Sequence, residues 1–191
     1  MNLYKITARN KLRIAVSGKS GCGNTTVSTL LSQKLGVTLI NFTFRQLAAE
    51  KNMTLQQVLE AAKTDSSYDK EVDTRQVELA KKTSCVLGSR LAVWMLKEAD
   101  LKVFLIAEPE VRAARIQNRE GGELSEIMAF TQKRDLEDSE RYKKLYQIDN
   151  TKYDFCDLII DTAKYNPEQI TELIINKLVE KKLVEIVKCK A

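Results

Sequence analysis

The chain has 191 residues, 43% hydrophobic and 30% charged, with 31 basic against 26 acidic side chains and a net charge of +5. That composition suits one compact α/β domain and excludes wholesale disorder, while the charge is too small and dispersed for a DNA or RNA surface. The absence of histidine removes Cys/His zinc sites and every histidine-based acid–base or triad mechanism.

In chain order, Lys11–Ser17 ends in Arg-Ile-Ala-Val-Ser and stops at Gly18, as a strand buried on both faces does. Val27, Leu30, Leu31 and Leu35 recur at helical spacing, and Gly36 closes that helix. Val37–Asn41 reads as a second strand. Phe44–Lys51, Leu55–Ala62 and Lys70–Lys82 read as helices, with Asp65-Ser66-Ser67 separating the last two. Ser84–Gly88 and Leu101–Ala107 are further strands. Pro109 opens a helix running to about Glu120, and Gly121-Gly122 is the clearest break in the chain. Leu124–Leu145 is a highly charged helix, Phe155–Asp161 a fifth strand and Pro167–Lys182 a closing amphipathic helix. Strands alternating with helices imply a parallel sheet covered on both sides, with ligands at the carboxyl ends of the strands. No internal repeat or linker divides the chain. The tail Glu180–Ala191, with Leu183, Val184, Ile186 and Val187 among lysines, reads as a docking strand or a frayed end, with a structural role expected.

No segment reaches the apolar length needed to cross a bilayer, and the first residues lack the apolar core of a signal peptide. The cysteines, Cys22, Cys85, Cys156 and Cys189, are far apart and read as free thiols in a reducing compartment. A cytoplasmic protein is expected.

Gly18-Lys19-Ser20-Gly21-Cys22-Gly23-Asn24-Thr25 has the shape of a P-loop between a strand and a helix. Its glycines let successive N–H groups converge on phosphate oxygens, and the helix N-terminus adds partial positive charge. Thr25 stands where a hydroxyl meets a magnesium ion bridging two phosphates. Asn24 occupies the position of the usual lysine, and Lys19 is expected to supply that charge from earlier in the loop; the alternative is a plain tight turn. Cys22 reads as a small packing residue.

Arg134, Asp138 and Arg141 share one helix face at i, i+4 and i+7, and Arg112, Arg115 and Arg119 share another at i, i+3 and i+7. Two such faces flanking a Gly-Gly break suit a hinged lid over phosphates, or else a solvated surface laced with ion pairs. Asp138 between two arginines offers an acceptor for the exocyclic amine of a base. Arg90 follows the third strand and Arg45 opens the helix after the second, both at strand ends where a ligand sits.

These stretches together resemble the cytidylate kinases, in particular the shorter type common in archaea and some bacteria. The resemblance rests on Ile-Ala-Val-Ser-Gly…Gly-Asn-Thr-Thr-Val, Phe44-Arg45-Gln-Leu-Ala, Asp69-Lys-Glu-Val-Asp73-Thr-Arg75-Gln76 and Ser89-Arg90-Leu91-Ala92-Val-Trp94. It continues through Glu110-Val-Arg112-Ala-Ala-Arg115-Ile and Lys133-Arg134-Asp135…Ser139-Glu-Arg141-Tyr142…Tyr146-Gln-Ile-Asp149. It spans Ile14 to about Ile170.

The resemblance implies a three-layer P-loop kinase fold, α/β with a five-stranded parallel sheet, a helical substrate-binding insertion and a lid. The core would be about 11–41, 84–110 and 155–182, the insertion about 42–83 and the lid about 111–148. It implies ATP- and Mg²⁺-dependent phosphorylation of CMP or dCMP by a monomer that binds neither nucleic acid nor membrane. Gly18, Lys19, Ser20, Gly21, Cys22, Gly23, Asn24, Thr25 and Thr26 would hold ATP, with Thr25 on the metal. Lys19, Arg115 and Arg119 would act on the transferred phosphate. Arg45 and Arg90 would hold the acceptor phosphate. Arg134, Asp138 and Arg141 would hold the cytidine nucleotide, with Asp138 reading the amino edge, and Asp73, Arg75 and Gln76 would lie in the insertion. The chain departs from the family at Gly88-Ser89-Arg90, which lacks the usual carboxylate, and in a shorter Asn41-Phe42-Thr43 loop. Two other readings stay open: a catalytically weakened nucleotide-binding relative acting through a partner, and a P-loop kinase of another small acceptor.

Overall fold

In the computed structural model, which describes residues 4–187, the strands are β1 (Tyr4–Ile6), β2 (Arg13–Gly18), β3 (Thr38–Ile40), β4 (Cys85–Gly88), β5 (Leu101–Ile106), β6 (Leu158–Asp161) and β7 (Val184–Ile186). The helices are α1 (Asn24–Leu35), α2 (Phe44–Glu50), α3 (Leu55–Thr64), α4 (Ser67–Lys82), α5 (Ala92–Met95), α6 (Pro109–Glu120), α7 (Leu124–Tyr146) and α8 (Pro167–Glu180). Cys189 and the last part of the basic tail lie outside the described residues.

Five strands form a parallel sheet in the order β3-β4-β2-β5-β6. Central β2 is apolar almost throughout because helices cover both its faces. Its Ile14 lies between Val86 and Leu101 in register. On one side Leu12, Ile14 and Val16 meet Leu31 of α1 and Ile170, Ile174 and Leu178 of α8. On the other, Ala15, Leu87 and Phe104 meet Ala80 of α4, Ala92 and Val93 of α5, and Leu96 just after it. α2, α3 and α4 form an excursion between β3 and β4 with a small core of its own around Phe42, Leu47, Val58 and Val72. α6 and α7 form an antiparallel pair joined at Gly121-Gly122, where both glycines have positive φ.

Two parts of the chain differ from expectation. The predicted fifth strand begins only at Leu158. Before it, Tyr153 stacks on Phe104 at 4.1 Å and Phe155 meets Trp94 edge-on, so aromatic packing replaces ladder pairing there. The tail supplies β7, which pairs antiparallel with β1 in a second, two-stranded sheet. Val184 is buried against the main core, which gives this part of the tail the expected structural role. No helix among the described residues is long and apolar enough to cross a membrane.

Candidate active site

The carboxyl ends of β2, β3 and β4 open into a cavity of about 600 Å³. Its floor is the loop between β2 and α1. Gly21 and Gly23 take left-handed φ values of 83° and 92°, and this curls the loop so that its amides face the space above. α1 has no acidic residue in its first turn, so its terminal N–H groups keep their partial positive charge for an anion. Thr25 and Thr26 line the same space.

Asn24 does not act as the missing lysine. Its Nδ2 donates to the Gly18 carbonyl at 2.6 Å, which staples the loop to itself, and its buried Oδ1 has no partner among the described residues. Lys19 reaches into the cavity from the loop's start, 3.5 Å from Asp135. Cys22 is a buried free thiol whose pKa is raised chiefly by burial, in keeping with a packing role.

The arginines divide into three groups. Arg112 and Arg115, on α6, are bound to the phosphate loop itself. Arg112, 3% exposed, donates to the Ser20 carbonyl at 3.2 Å and to Asp135 at 2.8 Å. Arg115 donates to the Gly21 carbonyl and, more closely, to the hydroxyl and carbonyl of Thr162 at the end of β6. A second group spans the cavity. Arg90 donates to Ser20 Oγ at 2.9 Å and pairs with Asp138 at 3.0 Å, while Arg141 pairs with the other oxygen of Asp138 at 2.7 Å and lies 3.5 Å from Asp69. Arg134 forms a group by itself. It lines the cavity and makes no hydrogen bond or ion pair among the described residues. Burial, then the neighbouring Arg90, lower its pKa, and the charge of nearby Asp138 offsets this only in part.

Four of the named residues sit differently. Arg119 lines the cavity but is largely exposed and paired with its neighbour Glu120. Arg45 is exposed and absent from the cavity wall. Asp138 is buried, with both oxygens already held by arginines, so it holds arginines in place instead of presenting a free acceptor edge. Arg75 faces away toward Glu50.

Sequence reasoning underused α4. Asp69, Asp73 and Gln76 all line the cavity, and their i, i+4, i+7 spacing is the signal that identifies the face. Asp135 and Thr162 were passed over altogether, because they act through Lys19, Arg112 and Arg115 from distant elements.

The profile of the cytidylate kinase-like family matches residues 13–164, from the start of β2 to just past β6. The chain belongs to the cytidylate kinase-like family. It is 42% identical over 176 residues to cytidylate kinase 2 of Borreliella afzelii, covering 90% of this chain and 99% of that one. It is 39% identical over 178 residues to cytidylate kinase of Archaeoglobus fulgidus, covering 92% and 98%. Among solved structures it is similar in fold to shikimate kinase from Acinetobacter baumannii in complex with shikimate, with a TM-score of 0.62 at 19% identity over 91% of this chain and 96% of that one. Deoxyadenosine kinase from M. mycoides with bound dCTP gives 0.54 at 19% identity, covering 88% and 100%.

In this cytidylate kinase-like chain the Arg112–Asp135 pair ties the phosphate loop to α7, since the two side chains are only 4% and 12% exposed. Breaking a buried pair leaves an uncompensated charge. Arg112→Met is therefore expected to lower unfolding free energy by about 3 kcal/mol, read by urea denaturation. An effect near zero would show that the pair does not brace the loop.

Proposed function

We propose that the chain transfers the γ-phosphoryl group of ATP to CMP or dCMP. The reading is carried by one observation: a phosphate loop and the guanidinium groups of Arg90, Arg134 and Arg141 meet around a single cavity, where Arg134 makes no hydrogen bond or ion pair among the described residues. Phosphoryl transfer asks little covalent chemistry of a protein and depends on positioning and charge stabilisation. The loop amides and the α1 N-terminus would hold the β- and γ-phosphates. Lys19 would stand at the transferred group once released from Asp135. Arg90 and Arg134 would take the acceptor phosphate with forked N–H pairs, and Arg141 would hold the nucleoside end beside Asp138. The excursion α2–α4 would act as the acceptor-binding insertion, and α6–α7 as the lid carrying Arg115 and Arg119.

The donor set also suits Mg²⁺. Such an ion takes one or two protein oxygens, completed by phosphates and waters, and Thr25 lines the cavity where one hydroxyl is needed. Among the described residues no group of three or more carboxylates or thiols is placed to hold a metal ion by itself. Held by Thr25, such an ion would supply positive charge to offset the charge developing on the phosphates. We infer a monomer working in the cytoplasm on free nucleotides.

A coupled ADP-release assay with ATP, Mg²⁺ and each nucleoside monophosphate in turn tests the reading. Turnover with CMP and dCMP well above that with AMP, GMP or UMP is the expected result; turnover with none of them, or with another monophosphate first, overturns it. Lys19→Ala is expected to lower kcat by about 100-fold with little change in KM, the size of effect of removing one donor to the transition state. Unchanged turnover would mean that Lys19 serves only the Asp135 pair.

A further inference from the structure

The α4 wall of the cavity carries carboxyl and amide groups where an acceptor base would lie. Asp73 accepts a hydrogen bond from the Tyr146 hydroxyl at 2.8 Å, through Oδ2, and its Oδ1 has no hydrogen-bond partner among the described residues. Gln76, one turn along α4, is 4% exposed and lines the cavity with its Oε1 buried and unpartnered. A buried polar atom without a partner is costly, so a cavity-lining carboxamide whose oxygen is unpaired suits a ligand toward which it can turn that oxygen. Phe42 and Phe44 supply apolar surface on the facing loop.

We propose that Asp73, as a neutral carboxylic acid, reads the amino edge of the acceptor's cytosine, with Tyr146 choosing which oxygen carries the proton and Gln76 completing the contact. The proposal rests on the cytidylate-kinase reading above and deepens it. Cytosine presents an N4 amino donor beside an N3 acceptor. An ionised carboxylate satisfies the first and repels the second; a carboxylic acid satisfies both through paired N–H···O and O–H···N bonds. Because Tyr146 donates to Oδ2, that oxygen is the acceptor and the proton sits on Oδ1. Uracil sets O4 against Oδ2 and N3–H against Oδ1–H, and both contacts are wrong. A site built to pair polar groups rejects the analogue that leaves them unpaired. Gln76 Oε1 takes the second amino hydrogen.

The charge balance around Asp73 agrees. Its pKa is raised to about 6: burial is the largest cause and Asp69 on its own helix adds to it, while the Tyr146 hydrogen bond and the charges of Arg141 and Arg90 pull the other way. Both arginines are already engaged by Asp138, and Arg141 also lies near Asp69. Tyr146 remains a donor at neutral pH, because burial and the neighbouring Asp73 raise its own pKa.

With Asp73 mostly ionised above pH 6 in the free protein, binding CMP draws one proton from solvent onto its carboxylate. Linkage sets the sign: the bound state holds more protons, so CMP affinity falls as pH rises, by about tenfold per unit above pH 7. Calorimetric titration of the full chain with CMP at pH 7.5, in buffers of different ionisation enthalpy, is expected to show uptake of about one proton per site. UMP, which differs at this edge alone, takes up none. Asp73→Asn presents an amide donor and acceptor that do not titrate, so uptake disappears at pH 7.5 and CMP affinity stays level from pH 7 to 8, above the second ionisation of the CMP phosphate at about pH 6. Tyr146→Phe frees the acid to place its proton on either oxygen and reduces the preference for CMP over UMP by about tenfold. CMP binding by the wild-type chain without proton uptake, or an unchanged CMP/UMP ratio in Tyr146→Phe, overturns the proposal. If CMP is still phosphorylated in that case, only this inference falls; if CMP is neither bound nor phosphorylated, the reading beneath it falls too.

Discussion

Gly21→Val is expected to abolish measurable phosphoryl transfer, lowering kcat/KM by at least about 1,000-fold, and to lower the melting temperature as well. Gly21 has φ +83°, and a Cβ there would lie 2.8 Å from the carbonyl oxygen of Arg112, 2.9 Å from its Cβ and 3.0 Å from its Cα. The obstacle is mostly the backbone of α6, which cannot rotate aside as a side-chain tip can. Accommodating the new carbon means flattening the loop, which turns its amides off the phosphates, or pushing out α6, which breaks the Arg112 and Arg115 hydrogen bonds to Ser20 and Gly21. Gly23 supplies the control, because it has φ +92° but nothing within 4 Å of an added Cβ. Gly23→Ala therefore bears only the left-handed penalty of about 1–2 kcal/mol. A thermal scan of Gly21→Ala and Gly23→Ala is expected to show the larger loss at Gly21; equal losses would mean that α6 yields and the close approach is unimportant.

Arg90→Ala has the next largest expected effect, a fall in kcat/KM for CMP of about 1,000-fold, or roughly 4 kcal/mol of transition-state stabilisation. Two losses combine. The acceptor phosphate loses a forked cation, and Asp138, 10% exposed in its side chain, keeps only Arg141 as partner. The carboxylate, now held by one cation instead of two, sits near the site of an anionic acceptor and repels it. Arg90→Lys restores the charge but neither the fork nor the simultaneous reach to Ser20 Oγ and Asp138, so recovery within about tenfold of alanine is expected. Steady-state kinetics with a parallel melt separate the causes. A loss of less than tenfold with the fold intact would remove Arg90 from the acceptor site.

Local chemistry made the frame legible from residue order. The helix Pro109–Glu120 was bounded correctly at both ends, because proline at the first turn and glycine after the last act on the neighbouring backbone alone. The five parallel strands and the phosphate loop followed from short apolar runs, two of them closing on Gly18 and Gly88, again features of a few adjacent residues. Tertiary structure decided which charges meet. On a helix, Arg134, Asp138 and Arg141 look equivalent in spacing, yet Asp138 is consumed by Arg90 from β4's end while Arg134 is left unpaired. Asp73, a substrate-binding candidate by resemblance, gained a defined partner only when α7 brought Tyr146 to it across 73 positions of sequence. Arg45 stood at the right strand end but pointed out of the cavity wall, and β1 found β7 from the far end of the described chain. Periodicity records which face of an element is apolar, a local property; pairing and desolvation depend on what the folded chain sets opposite that face, and no window of neighbouring residues contains it.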